Sequence, residues 1–379
     1  TASEALGELV GQAGFPRAAA SGDADEYRGH ECRRYRANGG IGQSETEFRI
    51  EEAHPWTRVR VSMGASARFS MSTAADPRPK ALPMTDRTDL MTAIDSDIDA
   101  LMADHLSKRP TWYAHELVTW EEGRNYADEP WDESQCTVSP EVREAMVLNL
   151  LTEDNLPYYH FAIATRFGKD SAVGRWTRRW TAEEGQHSIA IRDYLLTSRN
   201  CDPVALEDAR MATISRGWDS PWTDPIDIFV YTSAQELATR VSHRNTGLVA
   251  DDELAYEVMK RVAADENYHY IFYKGIVSAM LEHDPSACVL SMKKVYENFA
   301  MPGTVVPNFR KRAAITARAG VYDLRIHAEK VLQPVLREWK IDTLEGLSAE
   351  ADEARHDVLA LPDRLIERAE KLERRMAKA

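Results

Sequence analysis

Cysteine is scarce. Only Cys32, Cys136, Cys201 and Cys288 occur in 379 residues, and no two form a Cys-x-x-Cys pair. That spacing excludes a disulfide frame and a thiolate zinc site, and suits the free thiols of a reducing cytoplasm. Long apolar runs are missing too. No stretch approaches the roughly 20 residues that span a bilayer, and mean hydropathy is −0.47, so an integral membrane protein is not expected. Basic residues are in the minority, 47 Lys and Arg against 61 Asp and Glu, for a net charge of −14. Nucleic acid is therefore not expected as a partner, since phosphate neutralisation needs a basic face. The start of the chain carries no secretory signal pattern, and the expected location is cytoplasmic.

Alternating strand patterns are also few. Two short ones, residues 45–50 and 57–62, lie in a stretch rich in Gly, Ala, Ser and Arg. Residues 66–82 are small and polar, punctuated by Pro77 and Pro79 with Pro83 just after, and read as a linker. Residues 1–83 are expected to be a poorly ordered or accessory extension. Met84 is a candidate natural start, because the Thr-Asp-Arg-Thr-Asp-Leu that follows suits a helix N-cap.

From Asp86 onward the period is helical, beginning with Leu90, Ile94, Ile98 and Leu101. Residues 112–131 are aromatic and irregular and are expected to wrap over the helices. Ser139-Pro140-Glu141 is a helix start, and the helix it opens is expected to run to about Phe167. Further helices are expected from about Ser171 to Thr197, after Pro203, from Asp224-Pro225 to near Gly247, and from Asp251-Asp252-Glu253, whose acids suit the positive end of the dipole. Beyond Pro285 come amphipathic helices with breaks near Pro302, Pro307 and Gly320, then a highly charged tail from Ser348. With no strand pattern after residue 84, the domain over residues 84–379 is expected to be all-α, a four-helix bundle with additional flanking helices.

A Glu and a His three residues apart share one helix face and can hold one metal between them. The chain has four such pairs: Glu51/His54, Glu184/His187, Glu266/His269 and Glu353/His356. One isolated pair is most often a solvated helix face, and Glu51/His54 and Glu353/His356 are read that way, the latter in a helix polar nearly all round. The other two have an upstream partner at a matching interval. Glu153 precedes Glu184 by 31 residues and Glu236 precedes Glu266 by 30. Glu153, Glu184, His187, Glu236, Glu266 and His269 thus supply one Glu from each of two helices and one Glu-x-x-His from each of two others, the ligand set of a di-iron or di-manganese carboxylate centre. Oxygen-rich donors with two imidazoles suit iron or manganese better than zinc. Buried carboxylates would be costly without a cation.

Neighbouring residues have further candidate roles. Asp265 can accept a hydrogen bond from a ligand histidine. Thr239, one turn after Glu236, faces the same way and can hydrogen-bond a bound oxygen species, although a helical Thr alone is more often a packing residue. Trp112 and Trp180, taken alone, are core aromatics.

The stretches around these residues resemble the soluble acyl-[acyl-carrier-protein] desaturases of plastids and actinobacteria. They are Leu-Thr-Glu-Asp-Asn-Leu-Pro-Tyr-Tyr at 151–159, Trp-Thr-Ala-Glu-Glu-Gly-Gln-His at 180–187, Tyr-Thr-Ser-Ala-Gln-Glu-Leu-Ala-Thr at 231–239, Val-Ser-His-Arg-Asn-Thr at 241–246, and Ala-Ala-Asp-Glu-Asn-Tyr-His at 263–269. Residues 346–350 and 361–364 add to the likeness, which runs from about residue 90 to the end. The resemblance implies a ferritin-like four-helix bundle, the same six iron ligands and two iron ions per subunit, with manganese as an alternative metal. It also implies a chain of Asp265, His187 and Trp112 leading from the surface to the iron for electrons, an oxygen-handling role for Thr239, and Trp180 as an aromatic near the site. The implied reaction, in fatty acid biosynthesis, uses dioxygen and electrons from ferredoxin or a similar donor. It inserts a cis double bond into an acyl chain on acyl carrier protein. The implied protein is a homodimer, in the plastid stroma if eukaryotic.

The chain departs from that pattern in places. Ile228, next to Phe229, stands where the plant family tends to have Gly, so the acyl channel is expected to be shortened or reshaped. Ala162, Ile163 and Thr165 are candidate lining for the same channel. The family pattern has no counterpart to the extension before Met84, and the chain ends at Ala379, before the plant enzymes' final tail. Acidic partners call for local basic patches, with Arg175, Arg178 and Arg179, or Arg310, Lys311 and Arg312, as candidates. A related di-iron hydroxylase or oxidase, or a non-catalytic acyl-carrier-binding paralogue, is the alternative reading.

Overall fold

The structure, a computed structural model, describes residues 87–376. The stretch 1–83, its two alternating segments, the Glu51/His54 pair and Met84 lie outside them. Every regular element among the described residues is helical. Two helices lead in, α1 (Thr88–Ala93) and α2 (Asp95–Lys108). Irregular chain with short 3₁₀ turns then runs to α3 (Pro140–Glu153). There follow α4 (Leu156–Phe167), α5 (Ala172–Thr197), α6 (Pro203–Arg216), α7 (Pro225–Val249) and α8 (Glu253–His283). After these come α9 (Pro285–Glu297), α10 (Phe309–Arg318), α11 (Leu324–His327), a π-helical turn at Ala328–Leu332, α12 (Gln333–Glu338) and α13 (Ala349–Met376).

Side-chain caps start the long helices. Ser139 accepts from Val142 N–H, Ser171 from Gly174, Asp224 from Ile226 and Asp252 from Ala255, each contact worth about 1 kcal/mol. The single helix expected to reach Phe167 is in fact two. Pro157 has no N–H to give, and its ring would meet the carbonyl of Glu153 one turn back, so the chain turns at Asp154 and Asn155 and restarts as α4. Glu153 therefore stands at the last position of α3, beside the break.

α3 packs on α5, α5 on α8, α8 on α7 and α7 on α3, which closes a ring of four. α2 lies outside the ring against α5 and α8, α10 lies against α3, and α9 against α7 and α13. Two apolar clusters fill the bundle, one around Trp176, Phe229 and Tyr273, the other around Met146, Leu150, Ile191 and Met259. Each such side chain contributes about 1.5–3 kcal/mol by leaving water. The ligand candidates fall between the clusters. α13 departs from expectation. It buries Ala351, Ala354, Val358, Leu361, Leu365 and Ala369 as a stripe at helical spacing, while Glu353 and His356 stand exposed. No helix among the described residues is long and apolar enough to cross a membrane.

Candidate metal centre

All six residues singled out by the duplicated unit come together in the middle of the ring. Glu153 ends α3, Glu184 and His187 sit one turn apart on α5, Glu236 on α7, and Glu266 and His269 on α8. All six are buried, the two histidines completely. Their donor atoms form two groups, each gathered within 4.8 Å: Glu153, Glu184, His187 and Glu266 in one, Glu184, Glu236, Glu266 and His269 in the other. Glu184 and Glu266 belong to both. Both histidines turn Nδ1 inward. His187 Nδ1 lies 3.2 Å from Glu184 Oε2 and 3.3 Å from Glu266 Oε1. His269 Nδ1 lies 2.8 Å from Glu184 Oε1 and 3.8 Å from Glu236 Oε2.

Close as they are, several of these atoms lack hydrogen-bond geometry. Glu184 Oε1, both oxygens of Glu236, Glu266 Oε2, and Nδ1 of His187 and of His269 are buried with no hydrogen-bond partner. Native proteins rarely leave a buried polar atom unsatisfied, so six aimed at one centre mark a place for something that accepts lone pairs. The electrostatics agree. Burial, then the charges of Glu266 and Glu184, push the Glu236 carboxyl well above the usual range, and burial followed by Glu266 raises Glu184. Burial would lower His187 and His269, but the carboxylates around them outweigh it and hold both well above 6.5. Four carboxylates and two imidazoles, with no thiolate, form a hard oxygen-rich donor set that fits two divalent ions of iron or manganese.

The outer nitrogens of the histidines are also engaged. His187 Nε2 lies 3.3 Å from Asp265 Oδ2, which accepts a 2.8 Å hydrogen bond from Trp112 Nε1. Asp265, His187 and Trp112 are thus contiguous. His269 Nε2 meets Glu183 Oε2 at 3.0 Å, and the same oxygen lies 2.9 Å from His105 Nε2. His243 Nε2 lies 3.0 Å from Glu153 Oε1, and hydrogen bonds to Glu153 and Glu266 outweigh burial to hold its imidazole up at about 9. Sequence reasoning missed Glu183, His105, Arg109 and His243. Glu183 had a signal, because it precedes Glu184 as Asp265 precedes Glu266. His243 had one too, seven residues after Glu236 and so on the same face. His105 and Arg109 had none, since only the packing of α2 brings them near.

Thr239 Oγ1 donates to the backbone carbonyls of Gln235 and Glu236, at 3.2 and 3.0 Å, and borders a cavity of about 300 Å³. Glu153, Ser242 and His243 line the inner side of that cavity, and Phe299, Phe309 and Leu324 the outer. A smaller cavity of about 50 Å³ is bounded by Tyr159, Ile163, Trp180, Trp222, Ile228 and Tyr231. The 3₁₀ turn Pro302–Val305 separates the two, with Pro302 bordering the smaller and Gly303 the larger. A Cβ at Gly303 would stand 3.0 Å from Thr152 Oγ1, so glycine lets the turn press against α3. Ala162 and Ile163 line the smaller cavity, but Thr165, one turn further along α4, is exposed and lines neither. Two of the basic candidates are committed locally, Arg175 to Asp99 and Arg179 to Glu183. Arg312 pairs with Glu144, whereas Arg310 and Lys311 are exposed. The pairs Glu353/His356 and Glu184/His187 differ accordingly, the first on the surface and the second in the ring.

Comparison with known proteins gives the same direction. The family model described as fatty acid desaturase matches residues 86–379. A Mycobacterium tuberculosis protein named as an acyl-[acyl-carrier-protein] desaturase, DesA1, is 41% identical over 284 residues, covering 72% of this chain and 83% of its own. The chloroplastic stearoyl-[acyl-carrier-protein] 9-desaturase of Ricinus communis is 34% identical over 254 residues, 62% of this chain and 63% of that protein. The X-ray structure of DesA2 from M. tuberculosis H37Rv, titled as an acyl-ACP desaturase, superposes with a TM-score of 0.57 at 25% identity, covering 67% of this chain and 96% of that one. The chain belongs to the acyl-[acyl-carrier-protein] desaturase family of fatty acid desaturases.

Proposed function

We propose that this enzyme desaturates an acyl chain carried on acyl carrier protein, at a di-iron centre within residues 84–379, with electrons from ferredoxin or a similar donor. The observation that carries the reading is the meeting of two ligand groups that share Glu184 and Glu266 with an apolar cavity bordered by Glu153 and Thr239. Glu153 and His187 would help hold one ion and Glu236 and His269 the other, and Glu184 and Glu266, which belong to both groups, could serve either. Manganese meets the same donor preferences. A bound iron pair would supply the two-electron oxidation with dioxygen that an unactivated methylene pair requires. In balance, the acyl chain gives up two hydrogens and a carbon–carbon double bond forms. Dioxygen takes those hydrogens with two electrons from the donor and two protons, and leaves as two waters.

The chain's own residues do the positioning. The larger cavity, at the low end of the roughly 300–1,000 Å³ of small-molecule sites, would receive the chain from the carrier side. The smaller cavity would hold its methyl end, with Ile228 and Trp222 as the stop. Apolar walls exclude water and hold one carbon pair in place. Thr239, with its hydroxyl hydrogen committed to the backbone, offers lone pairs toward the site and can accept a hydrogen bond there. Arg310 and Lys311 on α10, beside the larger cavity, are candidates for meeting an acidic carrier protein. A homodimer is expected by family.

A panel of acyl carrier protein substrates of different chain length, incubated with ferredoxin, reductant and air and read by mass spectrometry, tests the reading. Loss of two mass units from one chain length supports it. A gain of sixteen would make the enzyme a hydroxylase, and two bound irons without turnover across the panel would make it a binding paralogue.

A further inference from the structure

We infer that Arg109 is a positioning residue that ties the supports of both ligand histidines together, and that α2 serves as the strut that carries it. This rests on the di-metal reading of the centre. Asp265 directly precedes ligand Glu266 on α8, and Glu183 directly precedes ligand Glu184 on α5. Successive helical residues point about 100° apart, so when the glutamate faces the centre its predecessor faces a neighbouring helix. The result is crosswise wiring. Asp265 of α8 meets Nε2 of His187 on α5 at 3.3 Å, and Glu183 of α5 meets Nε2 of His269 on α8 at 3.0 Å. Each histidine is held from behind by the helix that carries the other.

Arg109 sits between the two supports. Its Nε donates to Asp265 Oδ1 at 3.0 Å and Nη2 to Oδ2 at 2.5 Å, while Nε also lies 3.4 Å from Glu183 Oε2. The guanidinium side chain is only 3% exposed. Pro110 explains why it points this way. The residue before a proline is driven to extended backbone, and Arg109, at φ −71° and ψ 121°, ends α2 there. His105 lies one turn earlier on the same face of α2 and contacts Glu183 Oε2 at 2.9 Å. α2 thus presents two side chains to the backs of both histidines, although it supplies no ligand. A planar fork that can hold Asp265 by two bonds and still border Glu183 is available to Arg and not to Lys. By holding both carboxylates as acceptors for the Nε2–H groups, Arg109 leaves each Nδ1 lone pair facing the metal.

Cobalt(II) titration of the metal-free full-length protein tests this, read by absorbance against a competing chelator. Proton NMR in water supplies a second readout, because each cobalt-bound ring gives one shifted, exchangeable Nε2–H signal. Wild type should bind two ions and show two signals. Asp265→Asn should weaken one binding step about 10–100-fold and displace one signal, and Glu183→Gln should do so for the other. Arg109→Gln should weaken both steps and displace both signals, and Arg109→Lys, which keeps the charge but not the fork, should restore them only in part. Wild-type affinity with both signals in place in Arg109→Gln would overturn the inference, as would Asp265→Asn and Glu183→Gln acting on the same signal. If Arg109→Gln does not fold, Arg109→Lys decides alone, and unmoved signals in it count against the proposal. Wild type without two bound ions would instead fail the metal reading itself.

Discussion

In the proposed centre protons would take the place of cations once metal is stripped away, and this sets a sign for the dependence of stability on pH. Burial and then neighbouring carboxylates hold Glu236 and Glu184 above their ordinary range. Burial pushes His187, His269 and His243 down, but their carboxylate neighbours outweigh it and hold all three up, His243 at about 9. A carboxyl raised in the folded state contributes stability that is complete below its unfolded pKa, about 4.3, and is lost as pH climbs toward the folded value. A raised histidine behaves the same way from about 6.5 upward, so its contribution drains between there and about 9 for His243. Glu153, Glu266, Asp265 and Glu183 are held low. They act in the opposite direction, but only below about pH 4.3. From about pH 6 to 7.5 every shift at the centre therefore points the same way. One retained proton is worth about 1.4 kcal/mol per pH unit, or about 2 kcal/mol across that interval. At about 1–2 °C per kcal/mol for a chain of this size, Tm of the metal-free protein should fall by about 2–4 °C. Thermal unfolding followed by circular dichroism in chelator measures it. Glu236→Gln, which removes one of the raised carboxyls, should flatten the slope. Iron-loaded protein should lose the slope or reverse it, because the ligands bind metal deprotonated. A metal-free Tm that is flat or rises over the same interval refutes the reasoning.

Ile228→Gly should deepen the smaller cavity and shift the kcat/KM ratio toward acyl chains one or two methylenes longer, by about 10-fold per methylene, measured by competing two chain lengths. Thr239→Val keeps the shape of the side chain, so iron content should hold while kcat in a product assay falls about 10²-fold, the scale of one positioned proton-handling group. Arg199 is fully buried and its guanidinium holds Gln135 Oε1 at 2.9 Å and the Glu129 carbonyl at 2.6 Å, strapping the irregular chain between α2 and α3 to the bundle. Arg199→Ala should cost about 3 kcal/mol in urea unfolding, from the loss of charge-assisted hydrogen bonds, with the six proposed ligands untouched.

The six residues that meet in the middle of the ring were legible because the unit that carries them is repeated. A Glu and a Glu-x-x-His spaced by one helix hairpin, twice over, need only the period of the helix to be recognised. Helix starts were legible for the same local reason, a capping Ser or Asp with Pro or acid behind it. What lay beyond reach depends on how helices cross. Arg109 and His105 carry no periodic mark, and reach the centre only because α2 lies across α5 and α8. The larger cavity draws its outer wall from α10, α11 and α13, far along the chain from the ligands. The break at Asp154 and Asn155 was misread although Pro157 announced it, because the apolar pattern continues across the turn. Glu353/His356 shows the converse. It has the same motif as the ligand pairs, yet the buried stripe of α13 runs along the other face and leaves both side chains in water.

Iron stoichiometry and coupling, measured by elemental analysis and Mössbauer spectroscopy on anaerobically reconstituted protein, test the central claim most directly. Two irons per chain, magnetically coupled in wild type and uncoupled or lost in Glu266→Ala, are the expected result. Protein that folds but retains no stoichiometric metal, or that binds two irons which Glu266→Ala leaves unchanged, would contradict a centre built on Glu184 and Glu266.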